Sequence, residues 1–392
     1  MYMILHSLRD MAITGGMRVL VRADFDVALD GDTVADDFRV ETALPTIRFL
    51  LAHGAHVRLI AHLGRPGGTK NAVLSLAPVA RLLSRILDRK VPLIADPFQG
   101  DPPDGDLVLF ENLRFWPGEE RNDPAFTRML AAHGDAYVNE AFAACHRSHA
   151  SIVGLAQILP AYAGFHLLQE VEAMERVRER PRRPLVAVFG GAKIETKLPP
   201  IRRFLVDADC VIVGGALANT VLALRGSSVG KSAVDTGDAG DFSFLQNPKL
   251  ALPSDVVVAP CLVAGAASRI RPIGTVQDDE YIADIGPDSR ARFAQALMGA
   301  NTVVWNGPMG YAEVQEFAGG TIAVAEAIQK LDAFTVVGGG DTIATLKRYG
   351  AFTGFSHVST GGGAMLEFLS GAKLPGLEVL TTRTPYIRFP SS

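Results

Sequence analysis

Five times in the second half of the chain, a short apolar run rich in β-branched residues stops at glycine. The runs are Val186–Phe189 into Gly190-Gly191-Ala192-Lys193, Val211–Val213 into Gly214-Gly215, and Val303–Trp305 into Asn306-Gly307-Pro308. The last two are Thr335–Val337 into Gly338-Gly339-Gly340-Asp341, and His357–Ser359 into Thr360-Gly361-Gly362-Gly363. Continuous apolar runs of this kind fit strands covered on both faces, as in a parallel sheet. Glycine turns the backbone sharply and leaves N–H groups open to an anion. A helix that starts there adds its dipole. Repeated at successive strand ends, the pattern predicts a phosphate-binding rim.

The first half repeats the grammar less densely. Val19–Ala23 runs into Asp24-Phe25-Asp26, Val57–Ala61 into His62-Leu63-Gly64-Arg65-Pro66, and Leu107–Phe110 into Glu111-Asn112-Leu113-Arg114. Helical stretches such as Leu76–Leu87 lie between, so an α/β fold with a doubly wound sheet in each half is expected. A chain of 392 residues exceeds one ordinary core, which argues for two domains. Leu167, Leu168, Val171, Met174 and Val177 share one helical face, and Pro181 and Pro184 stop that run. The expected division is a first domain at 1–163, a connecting helix at 164–181 and a second domain at 182–373. The tail at 374–392 has little periodicity and either docks across the domains or frays. The polar stretch from about Lys231 to Leu250 reads as a surface excursion.

Composition removes several function classes. A hydrophobic content of 48% beside 20% charged residues describes a packed chain, not a disordered one. A net charge of −4 gives no basic footprint for nucleic acid. No apolar stretch is long enough to span a membrane, and no basic leader opens the chain. Cys145, Cys210 and Cys261 are scattered without metal spacing, which fits a reducing cytoplasm.

The halves carry different chemistry. Loops of the first offer Arg22, Arg39, His62, Arg65, Arg114, Arg147 and His149 near predicted strand ends. Arginine forks suit phosphate; the alternative for any one of them is a solvated surface position. His146-Arg147-Ser148-His149 has no carboxylate or cysteine at ligand spacing, so anion binding is preferred over a metal. In the second half Lys193 and Lys197 would share a helix face and can neutralise a transferring phosphoryl group, or else lie solvated. Asp341 reads as a magnesium ligand or as the N-cap of a helix Thr342–Tyr349, and both can hold. Gly230-Lys231-Ser232 imitates the end of a P-loop, but Arg225 stands where that motif needs glycine.

The strings themselves resemble the phosphoglycerate kinase family over nearly the whole chain. They include Val21-Arg22-Ala23-Asp24-Phe25, Ala61-His62-Leu63-Gly64-Arg65-Pro66, Glu111-Asn112-Leu113-Arg114-Phe115 and His146-Arg147-Ser148-His149-Ala150-Ser151. Further along are Phe189-Gly190-Gly191-Ala192-Lys193, Val304-Trp305-Asn306-Gly307-Pro308-Met309-Gly310, Val337-Gly338-Gly339-Gly340-Asp341-Thr342 and Ser359-Thr360-Gly361-Gly362-Gly363-Ala364.

The resemblance implies two Rossmann-like parallel-sheet domains joined by a helix, the phosphoglycerate kinase fold, with the C-terminal segment returning to the first domain. It implies reversible, magnesium-dependent phosphoryl transfer between 1,3-bisphosphoglycerate and ADP in a cytoplasmic monomer. Small-molecule substrates are expected, without nucleic acid or membrane. The triose would meet Asp24, Asp26, Arg39, His62, Leu63, Gly64, Arg65, Arg114 and Arg147. The nucleotide would meet Gly191, Ala192, Lys197, Asn306, Pro308, Glu313, Gly339, Gly340, Asp341 and Thr342, with Asp341 on magnesium. Arg39, Lys193, Gly339 and Gly362 would serve the transfer itself, on closure about Gly164 and the helix after it.

Four positions depart from the family's pattern: Asp26 for asparagine, Ala216 and Ile282 for glycines, and Ala312 for phenylalanine. A divergent paralogue that binds nucleotide or triose with little turnover, or one acting on another acyl phosphate, is the rival expectation.

Overall fold

The glycine-stopped runs are parallel neighbours in one sheet. The computed structural model describes residues 3–98, 105–192, 194–235 and 243–381. In spatial order the strands are Leu250–Ala251, Cys210–Val213, Leu185–Phe189, Thr302–Asn306, Phe334–Gly338 and His357–Ser359. All five pairings are parallel. Counted along the chain, this is the order 3-2-1-4-5-6 of the Rossmann sheet, which reverses between Leu185–Phe189 and Thr302–Asn306. Every residue of those two central strands is buried, as their unbroken apolar character requires. One face packs Val186, Val188, Val303 and Trp305 on Phe293, Leu297, Val324 and Ile328. The last four come from the helices Pro287–Leu297 and Gly319–Gln329.

The first half forms a second parallel sheet. Its order is Leu93–Ile94, Leu107–Phe110, His56–Ile60, Arg18–Arg22, Ala136–Asn139, Ala161–Ala163. The chain moves outward one way from Arg18–Arg22 and then returns to the other side through Ala136–Asn139. The crevice at the carboxyl ends of these strands is therefore a topological switch point. Helices Phe38–Ala52 and Ala77–Ile86 cover one face with Val40, Ile47, Val79 and Leu83 against Val19, Val57 and Leu109.

Among the described residues, those up to Glu172 and those from Lys373 to Thr381 form one compact unit, and those within Ala173–Ala372 form the other. The division falls inside the helix Phe165–Glu179, in which Leu167, Val171, Met174 and Val177 are buried. In the first unit Leu374, Leu377 and Leu380 are buried, Gly376 N–H donates to the Cys145 carbonyl at 2.9 Å, and His6 N–H to that of Leu380 at 3.1 Å.

An antiparallel sheet of Asp255–Ala259, Arg269–Pro272 and Tyr281–Ile285 also belongs to the second unit, and the sequence pattern does not announce it. Part of the expected surface excursion is tied to it. Ser232 is buried, and its Oγ accepts from Ile282 N–H at 2.7 Å. No helix among the described residues is long and apolar enough to cross a membrane.

Candidate active site

In the first unit, Arg22, Arg39, Arg114 and His149 gather around His62 at the carboxyl edge of the sheet. Arg39, in the first turn of Phe38–Ala52, donates from Nη1 to Asp24 Oδ2 at 2.7 Å. The Asp24 carboxylate raises the Arg39 pKa above its ordinary value, with Asp26 adding to it against the effect of burial. Gly64 N–H donates to Asp26 Oδ1 at 2.8 Å, and the Gly64 carbonyl accepts from Arg114 Nη1 at 2.9 Å. Gly64 has φ +62°, and a Cβ there would meet Leu74 Cδ2 at 2.8 Å, so only glycine fits the turn. Leu63 is pinned from behind, its carbonyl accepting from Asn112 Nδ2 at 2.7 Å.

Arg114 is buried, which lowers its pKa and leaves Glu120 Oε1 3.5 Å from Nε as a nearby counter-charge. Arg65 and Arg147 are exposed and make no ion pair with the described residues. His62 is buried, and desolvation beside Arg22 and Arg114 holds its pKa well below the usual value. Burial and the same arginines bring His149 down to about 4. Near neutrality the imidazoles are thus uncharged, and guanidinium groups carry the fixed positive charge. Arg22 departs from expectation. It is wholly buried and bonded to Ser151 Oγ, the Ala23 carbonyl and His62 Nδ1, so it stands behind the surface. Cys145 is a packing residue, its thiol pushed up to about 12 by burial.

In the second unit the glycine turns divide into two sets. Gly190 N–H donates to the Asn306 carbonyl at 2.9 Å, Gly191 to Pro308 at 2.8 Å, and Gly215 to Met309 at 2.8 Å. These amides, expected bare, tie the turns to one another. Cβ atoms at Gly190, Gly215 or Gly307 would strike facing backbone. The open amides lie at the other two turns. Helices Gly340–Arg348 and Gly362–Leu369 begin there, and no side chain caps either one, so their first-turn N–H groups face outward. The turns touch, since a Cβ on Gly362 would lie 2.9 Å from Gly339 Cα.

The N-cap is Gly339, with φ +101°, and not Asp341. Asp341 lies in the first helical turn, exposed, with no side-chain hydrogen bond or ion pair among the described residues. Thr342 is buried, and its Oγ1 accepts from Gly307 N–H at 2.8 Å. Asn306 is 5% exposed, and its Nδ2 has no hydrogen-bond partner among the described residues. Lys197, 8% exposed, donates from Nζ to the Gly190 carbonyl. Lys193 lies outside the described residues.

Beside these turns, at the switch point of the sheet, is a cavity of about 280 Å³. Gly191, Ala192, Pro308, Glu313 and Asp341 line it, together with Ala216, Asn219, Ser232, Tyr281 and Ile282. Ala312 is buried behind it, its carbonyl accepting from Tyr349 Oη at 3.1 Å. Asp284 also lines it. Asp284 accepts from Gly320 N–H at 2.6 Å and Arg290 Nη2 at 2.9 Å, while burial pushes its carboxyl up to about 7.

The family model for phosphoglycerate kinase matches residues 8–372. The chain belongs to the phosphoglycerate kinase family. The phosphoglycerate kinase of Moorella thermoacetica is 44% identical over 390 residues, covering 96% of this chain and 99% of its own. That of Rubrobacter xylanophilus is 45% identical over 386 residues, covering 96% and 98%. Among solved structures, the phosphoglycerate kinase of Pyrococcus horikoshii OT3 superposes with a TM-score of 0.85 at 32% identity, covering 96% of this chain and 98% of that one. The Coxiella burnetii phosphoglycerate kinase gives 0.82 at 40% identity with the same coverage. Family membership places the chain among the phosphotransferases with a carboxyl group as acceptor.

Proposed function

We propose that the protein is a magnesium-dependent phosphoglycerate kinase of the cytoplasm, a monomer that interconverts 1,3-bisphosphoglycerate and ADP with 3-phosphoglycerate and ATP. The observation that carries this reading is the contrast between two anion-binding surfaces. One is built from arginines around a neutral histidine; the other is built from helix-start amides beside a mostly apolar cavity.

In this reading Arg65 and Arg147, exposed and without an ion pair among the described residues, take the triose phosphate together with Arg114. Asp24, Asp26, His62 and the Leu63-Gly64 backbone face its hydroxyl and carboxyl groups. The cavity takes the nucleoside, with Glu313 on the ribose, while Gly191, Ala192, Pro308 and Lys197 meet the phosphates. Asn306 Nδ2, buried and without a partner among the described residues, has a donor to give to a phosphate oxygen. The amides at Gly339–Thr342 and Gly362 neutralise the equatorial oxygens as the phosphoryl group moves, with Arg39 and Lys193 adding full charges. Phosphoryl transfer asks the protein for positioning and charge cancellation more than for covalent chemistry.

Magnesium fits Asp341. Its carboxylate is exposed and has no side-chain partner among the described residues, which contain no cluster of three or more potential ligands. Such an ion is held by one carboxylate together with substrate phosphate oxygens. Asp341 would hold such an ion, which would supply positive charge against that of the substrate phosphates.

Steady-state kinetics of paired variants test the assignment. Arg65→Ala and Arg147→Ala should raise KM for 3-phosphoglycerate about ten-fold or more and leave KM for ATP unchanged. Glu313→Ala should do the reverse. Equal effects of both variant classes on both substrates would refute the division of labour.

A further inference from the structure

Behind His62 a chain of buried polar groups runs through the core of the first unit. Glu119 is fully buried, in the short helix Pro117–Glu120. Its Oε1 accepts from Ser151 Oγ at 2.5 Å and its Oε2 from Ser151 N–H at 3.0 Å. Ser151 Oγ in turn accepts from Arg22 Nε at 2.8 Å, and Arg22 Nη2 lies 3.0 Å from His62 Nδ1. Burial raises the Glu119 pKa against the pull of Arg22 and Ser151, and with that carboxylate ionised one proton arrangement satisfies the chain. A guanidinium can only donate, so His62 Nδ1 is the acceptor and carries no proton. The ring proton therefore sits on Nε2, the nitrogen 3.6 Å from Asp26 Oδ2. The single hydroxyl proton of Ser151 goes to Glu119, leaving its lone pairs for Arg22. Glu119 thus balances the buried Arg22 charge through one hydroxyl.

We propose that Glu119 and Ser151 are positioning residues that, acting through Arg22, fix the tautomer and ring orientation of His62. Neither was singled out from the sequence, and neither reaches the surface where a ligand would lie. The consequence for triose binding rests on the function proposed above: a neutral His62 presents Nε2–H as a donor beside the Leu63-Gly64 turn. The charged and titratable groups around the ring are Arg22, Arg39, Arg114, His149 and Asp26. Arg22, Arg39 and Arg114 oppose its protonation, Asp26 favours it, and His149, itself uncharged near neutrality, adds no charge there.

The test is long-range proton–nitrogen NMR of the ligand-free full chain, reading His62 from about pH 5.5 to 8.5. The unmodified protein should show Nε2 protonated and Nδ1 bare throughout. Ser151→Ala and Glu119→Gln should give mixed tautomers or a titrating ring, and Ser151→Thr, which keeps the hydroxyl, should restore the original pattern. KM for 3-phosphoglycerate should rise about ten-fold in Ser151→Ala, with KM for ATP unmoved. An Nδ1-protonated or titrating His62 in the unmodified protein overturns the proposal, with no variant needed. So do folded Ser151→Ala or Glu119→Gln proteins whose His62 signals match the original. Absence of any 3-phosphoglycerate binding, with the ring signals as expected, refutes the kinase reading and leaves the relay standing.

Discussion

Changing Asp26 to asparagine removes one negative charge from a surface otherwise built for an anion. The carboxylate has two contacts. Oδ1 accepts from Gly64 N–H at 2.8 Å, a bond that an asparagine carbonyl keeps. Oδ2 lies 3.6 Å from His62 Nε2, too far for a hydrogen bond, so an amide there sacrifices only a weak attraction to a neutral ring. The charge itself matters more. Asp26 is 41% exposed, which sets an intermediate dielectric. At an effective dielectric of about 40 and a separation of about 7 Å, each unit of ligand charge is repelled by about 1.2 kcal/mol. Counting only the one unit of ligand charge nearest Asp26, since the more distant ones are screened, removal of that repulsion should tighten 3-phosphoglycerate binding about five- to ten-fold at low salt, and less at an ionic strength of about 0.15 M. Titration calorimetry of both proteins at two salt concentrations measures this. Equal or weaker binding by a folded Asp26→Asn protein would refute the electrostatic argument and show that both carboxylate oxygens are needed as acceptors.

Three further outcomes follow from the geometry. Asp341→Asn should raise the magnesium concentration needed for half-maximal turnover about ten-fold or more with an unchanged melting temperature, because the side chain has no partner among the described residues; a lower melting temperature with normal magnesium dependence would contradict this. Lys197→Met, which keeps the buried stem and loses the charge, should lower kcat about 100-fold while keeping KM for 3-phosphoglycerate; a purely structural lysine would instead cost stability alone. For pH, burial depresses the folded-state pKa of His62 and takes that of His149 to about 4, whereas unfolded histidine titrates near about 6.5. The unfolded chain then binds protons that the native state refuses, so their contribution is present above about pH 6.5 and is lost as pH falls toward about 4. Urea midpoints should drop across that interval, and His149→Gln should flatten the drop; an equally steep drop in that variant would show that other groups carry it.

The parallel sheets were legible because runs such as Val186–Phe189 and Val303–Trp305 have no polar face to give to water, and because glycine marks where each one stops. The Rossmann order could not be read, since it depends on which strands pair and not on any one run. Neither could the division among the glycine turns: the Gly190, Gly191 and Gly215 amides look as bare in sequence as those after Gly339, yet facing loops consume them. Asp341 had the residue type and the place of an N-cap, but the positive φ of Gly339 moves the cap two residues earlier. The cavity residues Asn219, Ser232 and Tyr281 escaped notice because three distant segments supply them. Glu119 and Ser151 escaped for the same reason, being 32 residues apart and joined by hydrogen bonds that only the fold creates. Ala216 and Ile282 both line the cavity, as their positions suggested, whereas Ala312 stands behind it.

The most direct test is a coupled assay of the unmodified protein with 3-phosphoglycerate, ATP and magnesium, following formation of the acyl phosphate. The account predicts turnover on the order of 1–100 per second that requires both substrates and the metal. Binding of both substrates without turnover, or turnover only with a different carboxylate acceptor, would contradict it.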